Sequence, residues 1–110
     1  MIIDFSKIDT SVMHHFNGGE KDTVAKMFLN DDHRIMYASL DPGASIGLHT
    51  HTDADEVIFI LEGQGKVLYD DTEERVLRGQ SHYCLKGHTH SLINDGDMPL
   101  VFFAVVTYYK

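Results

Sequence analysis

The sequence predicts an all-β domain, an antiparallel sandwich or barrel, on three observations. Turn-forming clusters recur at short intervals, from Asn17-Gly18-Gly19 to Asn94-Asp95-Gly96-Asp97. Between them run short stretches rich in β-branched and aromatic residues, which suit a pleated, half-buried surface. No stretch carries the apolar spacing of a long helix. Many short strands spaced in this way are the pattern of a sandwich or barrel.

Taken in order, residues 9–16 have a weak pattern and read as a short turn. Strands follow at 24–29 and 34–40, parted by Asn30-Asp31-Asp32, whose short polar side chains favour turns. Asp41-Pro42-Gly43 ends the second strand, with proline presetting φ and glycine free to take the left-handed region. Strands at 47–51 and 56–61 flank the polar segment Thr52-Asp53-Ala54-Asp55. Strands at 65–69, 74–77 and 81–85 are separated by Asp70-Asp71 and Gly79. Lys86-Gly87 leads into a short strand at 91–93, and Asn94-Asp95-Gly96-Asp97 into the last, at 100–108. There Val101, Phe103 and Val105 make one apolar face, and Phe102, Ala104 and Val106 the other. A strand apolar on both faces is covered on both sides, so a homodimer is expected. Residues 1–30 read as a segment that caps the barrel, exchanges with a partner or lies flat outside.

The 110 residues hold one domain, and 43% apolar content supports a sizeable core. Nine basic against 17 acidic residues give a net charge of −8 with no basic cluster. That balance argues against nucleic acid and against anionic membranes. The longest apolar run, residues 100–106, is too short to span a bilayer. Cys84 is the single cysteine, so no intrachain disulfide forms. With an N-terminus that lacks a basic stretch followed by an apolar one, this leads to the expectation of a cytoplasmic protein.

The eight histidines are the compositional anomaly. His49 and His51 stand two apart, and on a strand i and i+2 share a face. Glu56 opens the strand Val57-Ile58-Phe59-Ile60-Leu61. Facing inward, it would share its side with Ile58 and Ile60 and have an apolar surround. His90 follows the turn Lys86-Gly87. Three neutral imidazoles and one carboxylate suit a borderline first-row cation such as Fe, Mn, Ni, Co or Zn. Singly, the His-x-His pair also reads as a solvated strand pair, Glu56 as a strand-start charge and His90 as a loop histidine.

The glycines add a longer pattern. Gly43, His49, His51, Glu56 and Gly63 are separated by five, one, four and six residues. Gly79, Leu85, Gly87, His90 and Asn94 are separated by five, one, two and three. In order and spacing these resemble the two motifs of the cupin superfamily over residues 43–94, and the flanking strands extend the fit to about 34–106. Leu85 stands where the family's second motif usually has proline. That proline shapes a turn, which here keeps Gly87.

The resemblance implies a double-sheet jelly-roll barrel. It implies that His49, His51, Glu56 and His90 hold one divalent transition metal ion, with a small organic molecule entering the barrel. A six-coordinate shell then has about two open positions. A homodimer is implied as well. The expected function is that of a metal-dependent enzyme of dioxygenase, decarboxylase, isomerase or lyase type. The alternative is a non-catalytic module that binds or senses a small molecule. Tyr37, Ile58, Tyr83, His88 and Leu92 are the pocket candidates. His14, His15, His33 and His82 read as structural or solvated, Cys84 as a core filler, and Asn94 as the tie of a turn.

Overall fold

The structure, a computed structural model, describes residues 1–109. Its strands are β1 (Ser11–His14), β2 (Asp22–Leu29), β3 (His33–Leu40), β4 (Ser45–Thr50) and β5 (Ala54–Glu62). They continue as β6 (Gln64–Tyr69), β7 (Thr72–Leu77), β8 (Ser81–Cys84), β9 (Thr89–Ile93) and β10 (Leu100–Tyr108). One sheet runs β1-β2-β3-β10-β5-β8 and the other β4-β9-β6-β7, with antiparallel pairing throughout. The two sheets fit a jelly roll, and the core lies between them. No helix among the described residues is long and apolar enough to cross a membrane.

Strand alternation builds the core. Met36, Ala38 and Leu40 on β3 turn inward beside Phe102 and Ala104 on β10 and Ile58 and Ile60 on β5. The register sets Phe102 against Ala38 on one side and Ile60 on the other, so these side chains form one continuous layer. Ile46, Val67, Val76 and Leu92 close it from the second sheet.

The segment expected as a turn at 9–16 contains a strand instead. β1 pairs with β2 from Ser11 opposite Ala25 to His14 opposite Asp22. It is an edge strand, and of its four residues only Met13 packs against the core. A strand that buries one side chain leaves almost no alternation in the sequence. Further upstream, the Phe5 ring lies 6.0 Å from both Tyr37 and Phe103 on the outer face of the larger sheet. Part of the outward face of β10 is therefore covered by this chain itself, which weakens the argument that a partner must cover it.

Two glycines let residues 17–19 lie directly on β4. A Cβ at Gly47 would come within 2.0 Å of the Asn17 carbonyl oxygen, and one at Gly19 within 2.0 Å of that of Ser45. No other residue fits either position without moving backbone.

Candidate metal centre

β4 and β9 run side by side with His49 opposite His90, so their side chains share a face. The β4–β9 pairing shifts between Ile46 and His49. Strict alternation would point residues 46 and 49 to opposite faces. The irregularity lets Ile46 enter the core while His49 still turns inward. His51 follows the end of β4, and its backbone N–H donates to the His88 carbonyl while its own carbonyl accepts from Gly87. Glu56 enters from β5 in the opposite sheet and is 3% exposed.

These four side chains converge on one point. The Nε2 atoms of His49 and His51 are 3.1 Å apart, those of His51 and His90 3.0 Å, and those of His49 and His90 3.1 Å. Glu56 Oε1 lies 2.9 Å from His51 Nε2 and 3.0 Å from His90 Nε2. The sixth pair, His49 and Glu56, makes no contact this short, and all four donor atoms fall within 4.8 Å of one another.

The separations discriminate between geometries. Adjacent ligands about 2.1 Å from an octahedral cation stand about 3.0 Å apart, against about 3.4 Å in a tetrahedron. Five short separations would suit four of the positions around a six-coordinate cation. The protonation pattern agrees: His49 Nδ1 donates to the Gly47 carbonyl at 2.7 Å, which leaves the Nε2 lone pair for a cation. The donor set and its spacing fit a metal ion.

Burial shapes the electrostatics. It lowers the pKa of His49 by disfavouring the imidazolium. At Glu56 burial alone would raise the pKa, but in the metal-free chain hydrogen bonding with His51 and His90 and the charges of His90 and Arg34 outweigh it. The carboxyl is held well below the ordinary carboxylate range. The Arg34 guanidinium stands 3.8 Å from Glu56 Oε2 and lies over the Phe16 ring. Its Nε is buried without a hydrogen-bond partner among the described residues.

The pocket candidates fare differently. Ile58 and Leu92 are buried in the core, each on the inward face with its neighbouring donor, Glu56 or His90. Tyr37 is corrected: Met36 and Ala38 take the inward face of β3, so Tyr37 turns outward, 43% exposed, against Phe5. Tyr83 stands on the opposite parity of β8 from His82 and Cys84 and is half exposed; its hydroxyl donates to Asp55 at 3.4 Å, and it lines the same cavity as His82. His88 precedes β9 and is not part of the donor cluster. Its Nδ1 donates to Asp70, and its ring stacks on Tyr69.

Two residues beside the centre were not singled out from sequence. One is Arg34, on the inward parity of Met36, Ala38 and Leu40. The other is His82, whose Nε2 is 2.9 Å from His90 Nδ1. Burial, followed by the neighbouring His90, lowers the His82 pKa to about 4. Their shared parity with core residues was the available signal. The strand pairing that sets His82 opposite Ile58 and Cys84 opposite Glu56 was not. His82 also lines a cavity of about 570 Å³ with residues of β6 and β7.

A fold of two facing antiparallel sheets with a His–His–Glu–His cluster between them defines the class. Residues 36–106 match the cupin domain, and the chain belongs to that family. The oxalate-binding protein of Thermotoga maritima is 28% identical over 113 aligned residues, 96% of this chain and 93% of that protein. A crystal structure described as a predicted oxalate decarboxylase from the same organism has a TM-score of 0.91 at 26% identity, covering 98% of this chain and 99% of the other. A further relative, the HTH-type transcriptional activator RhaR of Pectobacterium carotovorum, is 34% identical over 64 residues. That match takes in 58% of this chain and 22% of the activator.

Proposed function

We propose that this cupin holds one divalent transition metal ion on His49, His51, Glu56 and His90, and that the ion's open positions would receive a small dicarboxylate of the oxalate class. The observation that carries the metal is the set of five donor separations between 2.9 and 3.1 Å. Such crowding of imidazole lone pairs and a buried carboxylate is relieved by a cation at their centre. The ligand class draws on the oxalate-binding relative, which aligns over nearly the whole chain. Two open positions would accommodate a chelating anion such as a dicarboxylate. A metal bound here supplies Lewis-acid polarisation of a carboxylate or carbonyl oxygen.

Turnover of that ligand, as in a metal-dependent decarboxylase or related lyase, is the leading reading. Binding without turnover is the second, favoured by one observation: Glu56, the carboxylate of the cluster, already has the Arg34 guanidinium 3.8 Å from its second oxygen. In either reading the chain acts as one domain in the cytoplasm and pairs as a homodimer. The outer residues Val57, Phe59 and Tyr83 of the larger sheet remain exposed to support such pairing.

The test is metal analysis of protein expressed with Mn, Fe, Co, Ni and Zn supplementation, followed by calorimetry with oxalate and acetate. We expect about one ion per chain, lost in His49→Ala and Glu56→Ala, and oxalate bound more tightly than acetate only by the loaded protein. Wild-type protein that never takes up stoichiometric metal sinks the proposal. Formate or carbon dioxide released from oxalate selects the enzyme over the binding module.

A further inference from the structure

We infer that His82 is a positioning residue for this centre: its Nε2 accepts the Nδ1–H of His90 and so keeps the His90 Nε2 lone pair turned toward the other three donors. The inference rests on the metal reading above. It begins with β8, the edge strand beyond β5, whose register sets Cys84 opposite Glu56 and His82 opposite Ile58. Partners across an antiparallel pair share a face, so His82 is carried inward beside the carboxylate strand. There its Nε2 meets His90 Nδ1 at 2.9 Å, with ring centroids 5.1 Å apart. The Tyr69 ring stands edge-on to His82 at 5.4 Å and fixes its plane.

A neutral imidazole has one protonated and one bare nitrogen. If His90 uses Nε2 as a lone-pair donor, its proton is on Nδ1 and requires an acceptor, because His90 is 1% exposed. His82 Nε2 is at hydrogen-bond distance for that role. His49 has the same support from the Gly47 carbonyl, so two of the three imidazoles are oriented through their second nitrogen. Cys84, which also lies near His82 and His90, directs its thiol to the carbonyls of Leu85 and His88 and does not compete.

The experiment compares wild type, His82→Leu and His82→Gln for Zn²⁺ affinity by chelator competition. It adds nitrogen-15 NMR of the Zn²⁺-loaded wild type. The Gln side-chain oxygen offers an acceptor near the position of Nε2, and Leu removes it. We expect His82→Leu to bind about 10–100-fold more weakly, His82→Gln to recover most of that loss, and the His90 Nδ1 of the wild type to be protonated. Wild-type affinity in His82→Leu, or an equal loss in both variants, overturns the inference, the second outcome because it would reduce His82 to packing. An unprotonated His90 Nδ1 overturns it as well, and that measurement needs no variant to fold. Absence of Zn²⁺ binding by the wild type sinks the metal reading itself, which separates the two failures.

Discussion

Cys84 is 0% exposed, and burial, then the negative charges of Glu56, Asp70 and Asp55, push its thiol up to about 12. The thiolate is the reactive form, so at neutral pH this cysteine is inert in the folded chain. Alkylation by iodoacetamide near pH 8 should label it only after denaturant is added, and rapid native-state labelling would contradict that placement. Asn94 is also fully buried, and it works as a tie between loops. Its amide donates to the carbonyls of Leu40 and Met98 at 2.8 and 2.9 Å, and its side-chain oxygen accepts from the Gly96 backbone. Asn94→Ala leaves two carbonyls and one N–H without their partner, at about 1–3 kcal/mol for each group that stays buried. We expect a destabilisation of about 2–4 kcal/mol in urea unfolding, with Asn94→Asp recovering only the bond from Gly96. The turn-tying role was readable from Asn94-Asp95-Gly96. The reach to Leu40, 54 positions away, was not, because nothing in a linear pattern reports which distant carbonyl lies overhead.

At the level of strands, legibility followed burial. β2, β3, β5 and β10 each bury one face on alternate residues, and their reading from sequence needs only small adjustments at the ends. β1 buries almost nothing and was missed. The clustering of His49, His51, Glu56 and His90 was approachable because two of the four stand i and i+2 at the end of β4 and motif spacing brings in the others. His82 and Arg34 were invisible as neighbours because their proximity depends on the register of β8 on β5 and of β3 on β10, which no residue type encodes. The turn that lacks the usual proline at Leu85 also has a local support that could not be read: Asp55 accepts from the Lys86 N–H at 2.6 Å. The crossing of residues 17–19 over β4 yields the sharpest prediction at this scale. Gly47→Ala pushes a methyl group into the Asn17 carbonyl, 2.0 Å away, and backbone must move. Overpacking of this kind costs about 1–3 kcal/mol or more. Because the Gly47 carbonyl also orients His49, metal affinity should fall with stability. Gly79→Ala is a control for the left-handed backbone alone, since a Cβ there meets nothing within 4 Å and φ is +84°. It should lower stability without touching metal affinity.

For the molecule as a whole, acid response follows from the signs of several shifts. In metal-free protein, burial lowers His49, and lowers His82 from 6.5 to about 4. The unfolded chain therefore takes up these protons first. Stability from the two histidines is complete above about 6.5 and declines as pH falls toward their folded values. Asp4 and Asp70, lowered by hydrogen bonds from Ser6 and from His88 and Thr89, act in the same direction further down. Their contribution is present above the ordinary 3.8 and is lost as pH drops through the folded values. One effect opposes this trend: the chain carries a net charge of −8, and protonation relieves its self-repulsion. That relief is spread over the surface and screened beyond about 8 Å at physiological salt. The cost of charging a buried imidazole is local and unscreened, so it dominates. Chelator-treated protein should therefore show a melting temperature that is flat near pH 8 and falls steadily below about pH 6.5, before any carboxylate titrates. Saturating metal should raise the whole curve, by about 2.7 kcal/mol at a hundredfold excess over Kd. It should also steepen the acid limb, because protons then compete with the ion for the same nitrogens. A melting temperature unchanged from pH 8 to about pH 5 in the metal-free protein would mean that these imidazoles are not desolvated. The enclosure of the centre between the two sheets would then be wrong.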